Sequence, residues 1–196
     1  MVGTDLTILS VNMCHQNDMS HTLLHTFTAH ILAIQEPWFS HISLSHSDTN
    51  PASSSTLGGV ANNHWVCLSP HISGNTPTKT LIYIQCSLFD SLTIIPILSH
   101  SSPSPSLLLV EFTSTSGPTF YLLSVYYNIF NSSYSLTNLL FSSVNPTIPT
   151  LVLGDFNTHS HSWSLLSICP SPWATALKTW FACKNLHYLN PPSIPT

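Results

Sequence analysis

Four short apolar runs in this chain each end in side chains able to bind a cation or a phosphate. Asn12 follows residues 8–11 and Glu36 follows Ile31–Gln35. Tyr127-Asn128 follows residues 122–125, and Asp155-Phe156-Asn157 follows residues 151–154. Two of only seven acidic residues in the chain stand at these run ends. Carboxylate oxygen suits a hard cation such as Mg²⁺, which keeps several waters and needs only one or two protein carboxylates. Such an ion neutralises charge on a phosphoryl oxygen and on a leaving oxygen. A second carboxylate can orient or deprotonate an attacking water. Asn and Tyr add neutral hydrogen bonds to phosphate. Hydrolysis of a phosphate ester is the chemistry these residue types serve.

The elements that must position them are mostly strands. Residues 6–11, Ile31–Gln35, Trp65–Leu68, Thr80–Gln85, residues 92–98, 107–113, Thr119–Tyr126 and 150–153 are apolar enough to be strands. Pro96 confines its segment to a sheet edge or a bulged strand. Ser116-Gly117-Pro118 joins two strands as a hairpin. Helical spacing of Met19, Leu23, Leu24 and Phe27 predicts a helix over 19–29 capped by Ser20. Further helices are expected over 136–142 and 174–182, and residues 188–190 could open another strand. Residues 40–62 are polar and contain Gly58-Gly59, which predicts loop. Strands separated by helices imply an α/β or α+β class in which strand ends from distant segments converge on one rim.

Composition pulls the other way on partners. Only 5% of the 196 residues are charged, the cations are Lys79, Lys178 and Lys184, and arginine is absent. A net charge of -4 supplies no basic field to attract a polyanion. With 43% hydrophobic and 10% aromatic residues the chain can still bury a core. Five cysteines without a C-x-x-C pair fit reduced thiols inside a cell. Neither a secretory signal nor an apolar run near the ~18 residues of a membrane span is visible, so the chain is expected to be neither secreted nor membrane-bound. His159 and His161 share a strand face by spacing, yet no cysteine lies nearby to complete a Zn²⁺ site.

Taken in order, Ser-Val-Asn12, Gln35-Glu36-Pro37-Trp38, Tyr127-Asn128 and Gly154-Asp155-Phe156-Asn157 resemble the endonuclease/exonuclease/phosphatase superfamily. Glu36-Pro37-Trp38, Asp155-Phe156-Asn157-Thr158-His159 with Trp163, and Leu189-Asn190-Pro191 before Ile194-Pro195-Thr196 resemble the apurinic-type endonuclease branch of LINE-type (non-LTR) retrotransposons. The resemblance implies a two-sheet α/β sandwich with outer helices, formed as one incomplete domain over residues 1–196 whose last strands are missing. It implies a Mg²⁺-dependent nick in a DNA strand, with Mn²⁺ as a possible substitute. Glu36 would hold the metal, with Asn12 supporting metal and phosphate. Asp155 would orient or activate the water, and Asn157 and Tyr127 would contact the phosphate. His159 would play a supporting part beside them.

The implied partners are DNA and a reverse transcriptase domain of the parent polyprotein, absent from these residues. The implied location is intracellular, and nuclear where the protein is functional. The family's late Asp and closing Ser-Asp-His do not occur in these residues, so impaired activity is expected. Tyr126 stands where the branch more often carries a small or apolar residue. Two other readings stay open: a catalytically inactive transposon-derived remnant, and a lipid or inositol phosphoesterase of the same superfamily. Glu36-Pro37-Trp38, His159 and Trp163 count against the lipid enzymes.

Overall fold

The computed structural model describes residues 5–42, 56–70, 77–97, 106–115, 117–127, 147–158, 160, 171–187 and 189. Chain contacts divide it into two compact units, Met1–Tyr126 with Leu151–Asp155, and Tyr127–Thr150 with Phe156–Thr196. The first unit holds the sheets. Its strands are β1 (Ile8–Asn12), β2 (Ile31–Gln35), β3 (Ser40–Ile42), β4 (Thr56–Gly58), β5 (Trp65–Leu68), β6 (Thr80–Gln85), β7 (Leu92–Ile97), β8 (Leu107–Ser114), β9 (Thr119–Tyr126) and β10 (Thr150–Asp155). One four-stranded sheet has the order β1-β2-β6-β5 and a second has β10-β9-β8-β7, while β3 and β4 form a small ribbon. The β1–β2 pair is parallel, whereas β2–β6 and β5–β6 are antiparallel. This is the α/β sandwich expected from the sequence.

Alternation along each strand builds two cores. Ile31, Ile82 and Ile84 of the first sheet pack against Leu108, Val110, Phe112 and Leu122 of the second. Ile8, Phe120, Leu151 and Leu153 join this layer. The residues of opposite parity, Leu32, Ile34, Leu81 and Tyr83, face away and pack with Leu23 and Leu24 of the first helix. Both faces of the first sheet are therefore buried, which is why β2 reads as an unbroken apolar run. Phe112 and Phe120 stack with ring centroids 4.8 Å apart. Pro96 lies on β7, at the edge of its sheet, where the missing N–H is tolerated.

Helix α1 spans Asn17–Thr26, not 19–29. Gln16 is its N-cap, and Ser20 lies buried inside it with its hydroxyl donating to the Gln16 carbonyl at 3.0 Å. The expected cap is instead a back-bonded helix residue. Trp65 Nε1 donates to the Leu24 carbonyl and ties β5 to this helix. The short ribbon of β3 and β4 falls within the segment expected to be loop. A 3₁₀ turn at Cys86–Asp90 was not foreseen either. In the second unit, α2 spans Pro172–Cys183, capped by the Ser171 side chain, which accepts from the Ala174 N–H. Ala174, Leu177 and Trp180 form its buried stripe. The helix expected over 136–142 and residues 188 and 190 lie outside the described residues.

Two substitutions test this layering. Phe112→Ala should lower the unfolding free energy by about 3–5 kcal/mol, whereas Ile95→Ala on the exposed side of β7 should stay within ~0.5 kcal/mol. Urea titration reads both, and equal losses would show that the layer between the sheets is not the main core. Gly154 is the second test, because it has φ +148° and a Cβ there would overlap the Val125 carbonyl oxygen. Gly154→Ala is expected to cost at least ~2 kcal/mol, read as a lowered urea midpoint. An unchanged midpoint would show that β10 does not approach β9 so closely.

Candidate active site

The inner faces of the sandwich change chemistry along their length. On β1 the side chains facing the second sheet run Ile8, Ser10, Asn12, and on β2 they run Ile31, Ala33, Gln35. Antiparallel β6 places Thr80 opposite Gln35. On β9 the same parity gives Phe120, Leu122, Ser124, Tyr126, and on β10 it gives Leu151, Leu153, Asp155. One end of the sandwich is thus hydrocarbon and the other is polar.

Hydrogen bonds join the polar end across the sheets. Buried Gln35 accepts from Ser10 Oγ at 3.2 Å and donates through Nε2 to Ser124 Oγ at 3.3 Å and to the Ala33 carbonyl at 3.4 Å. Ser124 is also hydrogen-bonded to Thr80 Oγ1, and Thr78 Oγ1 donates to the Thr80 carbonyl. Buried polar atoms left unpaired here would cost roughly 1–3 kcal/mol each. The network therefore fixes the register in which the strand tips meet.

Beyond that network stand the acids. Asn12 Nδ2 donates to Asp155 Oδ2 at 3.0 Å, joining the last residue of β1 to the last residue of β10. Asn12 Oδ1 accepts from the Cys14 N–H at 3.0 Å, so the carboxamide is held at both ends. Glu36 directly follows β2 with φ +46°. Strict alternation would turn its side chain away from the second sheet. The left-handed backbone breaks that alternation, and Glu36 Oε1 accepts a 2.6 Å hydrogen bond from the Tyr126 hydroxyl. Its N–H donates to the Lys79 carbonyl, and its own carbonyl accepts from the His15 N–H at 2.8 Å. His15 Nε2 lies 3.9 Å from Glu36 Oε1.

The sequence-derived site residues separate as follows. Asn12, Glu36 and Asp155 stand at strand ends of the first unit, and Asn12 and Asp155 touch. Asn157 and Tyr127 belong to the second unit, where Asn157 Nδ2 donates to the Tyr127 carbonyl at 2.8 Å. The Tyr127 hydroxyl is buried without a hydrogen-bond partner, its ring lies edge-on to Trp173, and burial raises its pKa above the usual tyrosine value. His159 lies outside the described residues. The sequence marked Tyr126 only as a departure from the branch, and it did not single out His15. Alternation along β9 carried the signal for Tyr126, since it continues the series Phe120, Leu122, Ser124.

A divalent cation fits this donor set. Among the described residues no group of three His, Cys, Asp or Glu is placed to hold a metal ion by itself. One or two carboxylates with open coordination positions suit a hydrated hard ion better than a structural zinc. Glu36 is 22% exposed, so its carboxylate reaches solvent while Tyr126 fixes its direction. Among the described residues no helix is long and apolar enough to cross a membrane.

Comparison with known proteins accords with this arrangement. The family model described as "Endonuclease/Exonuclease/phosphatase family" matches residues 9–195. No curated protein gives a significant sequence match. Among solved structures, the endonuclease domain of TRAS1, a telomere-specific non-LTR retrotransposon, aligns with a TM-score of 0.68 at 16% identity, covering 98% of this chain and 76% of that one. D. rerio TDP2, complexed with single-strand DNA product, gives a TM-score of 0.44 at 15% identity over 79% of this chain and 62% of its own. The TRAS1 likeness is one of fold. From the family match over nearly its whole length, with the strand-tip carboxylates placed as described, the chain belongs to the endonuclease/exonuclease/phosphatase family.

Proposed function

We propose that this chain is a metal-dependent phosphodiesterase of the endonuclease type, directed at DNA. The observation that carries the reading is the 3.0 Å bond from Asn12 to Asp155, which brings two remote strand ends together beside Glu36. Family membership supports phosphoester chemistry. The Glu36-Pro37-Trp38 and Asp155-Phe156-Asn157-Thr158-His159 runs, and the fold shared with a retrotransposon endonuclease domain, favour DNA nicking within that range. On this reading the reverse transcriptase domain of a parent polyprotein is the functional partner, and the nucleus is the place of action.

The proposed roles are those the motifs imply, supported for Glu36, Asn12 and Asp155 by their hydrogen bonds at the strand ends. Glu36 would hold Mg²⁺, or Mn²⁺ in its place, and the ion would supply positive charge to neutralise phosphoryl oxygen. Asp155 orients the attacking water and receives its proton as the new oxygen–phosphorus bond forms and the bond to the 3′ oxygen breaks, the 3′ oxygen taking a proton from solvent to leave as the hydroxyl. Asn12 keeps the Asp155 carboxylate aimed through Nδ2. Asn157 serves the phosphate, and His159 keeps the supporting place that its motif implies. The tyrosine part falls to Tyr126, whose hydroxyl already contacts Glu36, while that of Tyr127 is buried against its own neighbours. A second reading, an inactive transposon-derived remnant, is favoured by one observation. Three lysines and no arginine give little attraction for DNA.

Plasmid nicking and metal binding test the proposal together. The 196-residue polypeptide should nick supercoiled plasmid slowly in Mg²⁺, because a proton-handling Ser-Asp-His is not among these residues. That activity should fall at least ~100-fold in Glu36→Ala and in Asp155→Ala. Mn²⁺ binding followed by electron paramagnetic resonance should weaken in Glu36→Ala. Nicking and Mn²⁺ binding that both ignore Glu36→Ala would refute the site, and Mn²⁺ binding without any nicking would favour the remnant. The two tyrosines should also part company. Tyr126→Phe should lower the nicking rate about tenfold, while Tyr127→Phe should leave it unchanged and cost no stability, since it removes an unpaired buried hydroxyl. The opposite order would return the tyrosine role to Tyr127.

A further inference from the structure

His15 takes no part in the family motifs, yet the fold invests in placing it. Cys14 and His15 both adopt left-handed backbone, with φ of 45° and 61°. For residues with a side chain this conformation is disfavoured by the contact of Cβ with the following carbonyl, and such strain persists where surrounding bonds over-determine it. Those bonds are present. The His15 N–H donates to the Glu36 carbonyl at 2.8 Å, and His15 Nδ1 lies 3.1 Å from the Pro37 carbonyl. A carbonyl oxygen can only accept, so Nδ1 carries the proton in that bond. In the neutral ring the lone pair then sits on Nε2, the nitrogen 3.9 Å from Glu36 Oε1. The ring is 52% exposed, which leaves Nε2 open to an incoming ion.

We propose that His15 Nε2 is a nitrogen ligand to the divalent cation held by Glu36, an inference that rests on the metal-binding role given to Glu36 above. Two bonds of about 2.1 Å meeting near 90° put their donor atoms ~3.0 Å apart, so the 3.9 Å separation closes onto one ion with a shift of under ~1 Å. The Pro37 carbonyl does for this ring what outer partners do for metal-bound histidines generally. It fixes the tautomer and the orientation. An ordinary exposed His–Glu contact would be worth little and would leave the ring free to rotate. Here the ring is anchored at Nδ1 and its backbone is held on the same Glu36-Pro37 segment. Imidazole nitrogen is a poor ligand for Mg²⁺ and a good one for softer divalent ions. His15 therefore biases the site toward Zn²⁺, and to a lesser degree Mn²⁺, relative to Mg²⁺.

The test uses the full chain with Mn²⁺ and pulsed electron paramagnetic resonance. Bound Mn²⁺ should show a histidine ¹⁴N coupling that disappears in His15→Ala and remains in His64→Ala, a control for adventitious sites. His15→Ala should weaken Mn²⁺ about tenfold and leave Mg²⁺ affinity, measured by competition, nearly unchanged. Because His15 is a surface residue, thermal melting should show the variant folded. Mn²⁺ bound in a Glu36-dependent way with the same ¹⁴N coupling in His15→Ala would overturn the His15 assignment and leave Glu36 standing. Mn²⁺ binding indifferent to Glu36→Ala would bring down both.

Discussion

The two-residue period of the strands governs this molecule. Because alternate side chains point to opposite faces, one parity class from β1, β2, β6, β9 and β10 meets between the sheets, and that class changes from hydrocarbon to polar along the strands. Ile31, Ile82, Ile84, Val110 and Leu122 supply the burial that holds the sheets together. Gln35, Ser124, Thr80, Asn12 and Asp155 occupy the same layer at the other end. A one-residue slip in any of these strands would send its polar member to the wrong face and bury an unpaired group. The hydrogen bonds between Gln35, Ser10 and Ser124 therefore specify register, and register aims the acids.

Where alternation cannot deliver a side chain, the backbone departs from ordinary conformations. Glu36, Cys14 and His15 all have positive φ, and they are linked by the bond from His15 N–H to the Glu36 carbonyl. Gly154 permits the opposite adjustment, because only a residue without a Cβ can lie so close to the Val125 carbonyl. β10 thereby reaches β9 closely enough to end on Asp155 at the polar rim. Glu36 is itself strained, Gly154 directly precedes Asp155, and His15 is bonded to the Glu36 carbonyl. This is the pattern expected where positioning outweighs local stability.

Much of this was legible in the sequence. The bounds of β2, β5, β6 and β9 follow directly from uninterrupted or alternating apolar residues, since burial on one or both faces leaves no other composition. Pro96 disclosed an edge or a bulge because a missing donor is tolerated only there. Ser20 misled, because a serine near a helix start reads as a cap whether it stands before the first turn or inside it, and only the Gln16 carbonyl separates the two cases. The β3–β4 ribbon stayed hidden because short strands joined mainly by backbone bonds leave little mark on side-chain type. The Tyr126-Tyr127 pair shows the limit most clearly. Two adjacent tyrosines are equal in composition, and only strand parity tells which one meets Glu36.

Charge supplies the last constraint. Seven acids against three lysines leave the chain without a cationic side chain type suited to bidentate phosphate contact. Glu36 and Asp155 are held at neighbouring strand tips by neutral donors, the Tyr126 hydroxyl and the Asn12 carboxamide. Neutral donors orient a carboxylate without cancelling its charge. On the proposed reading a small divalent ion supplies positive charge beside Glu36, whose left-handed backbone turns its carboxylate toward Tyr126. The scarcity of basic side chains and the placement of Glu36 are then parts of a single arrangement, in which the positive charge that phosphate chemistry requires comes from solution.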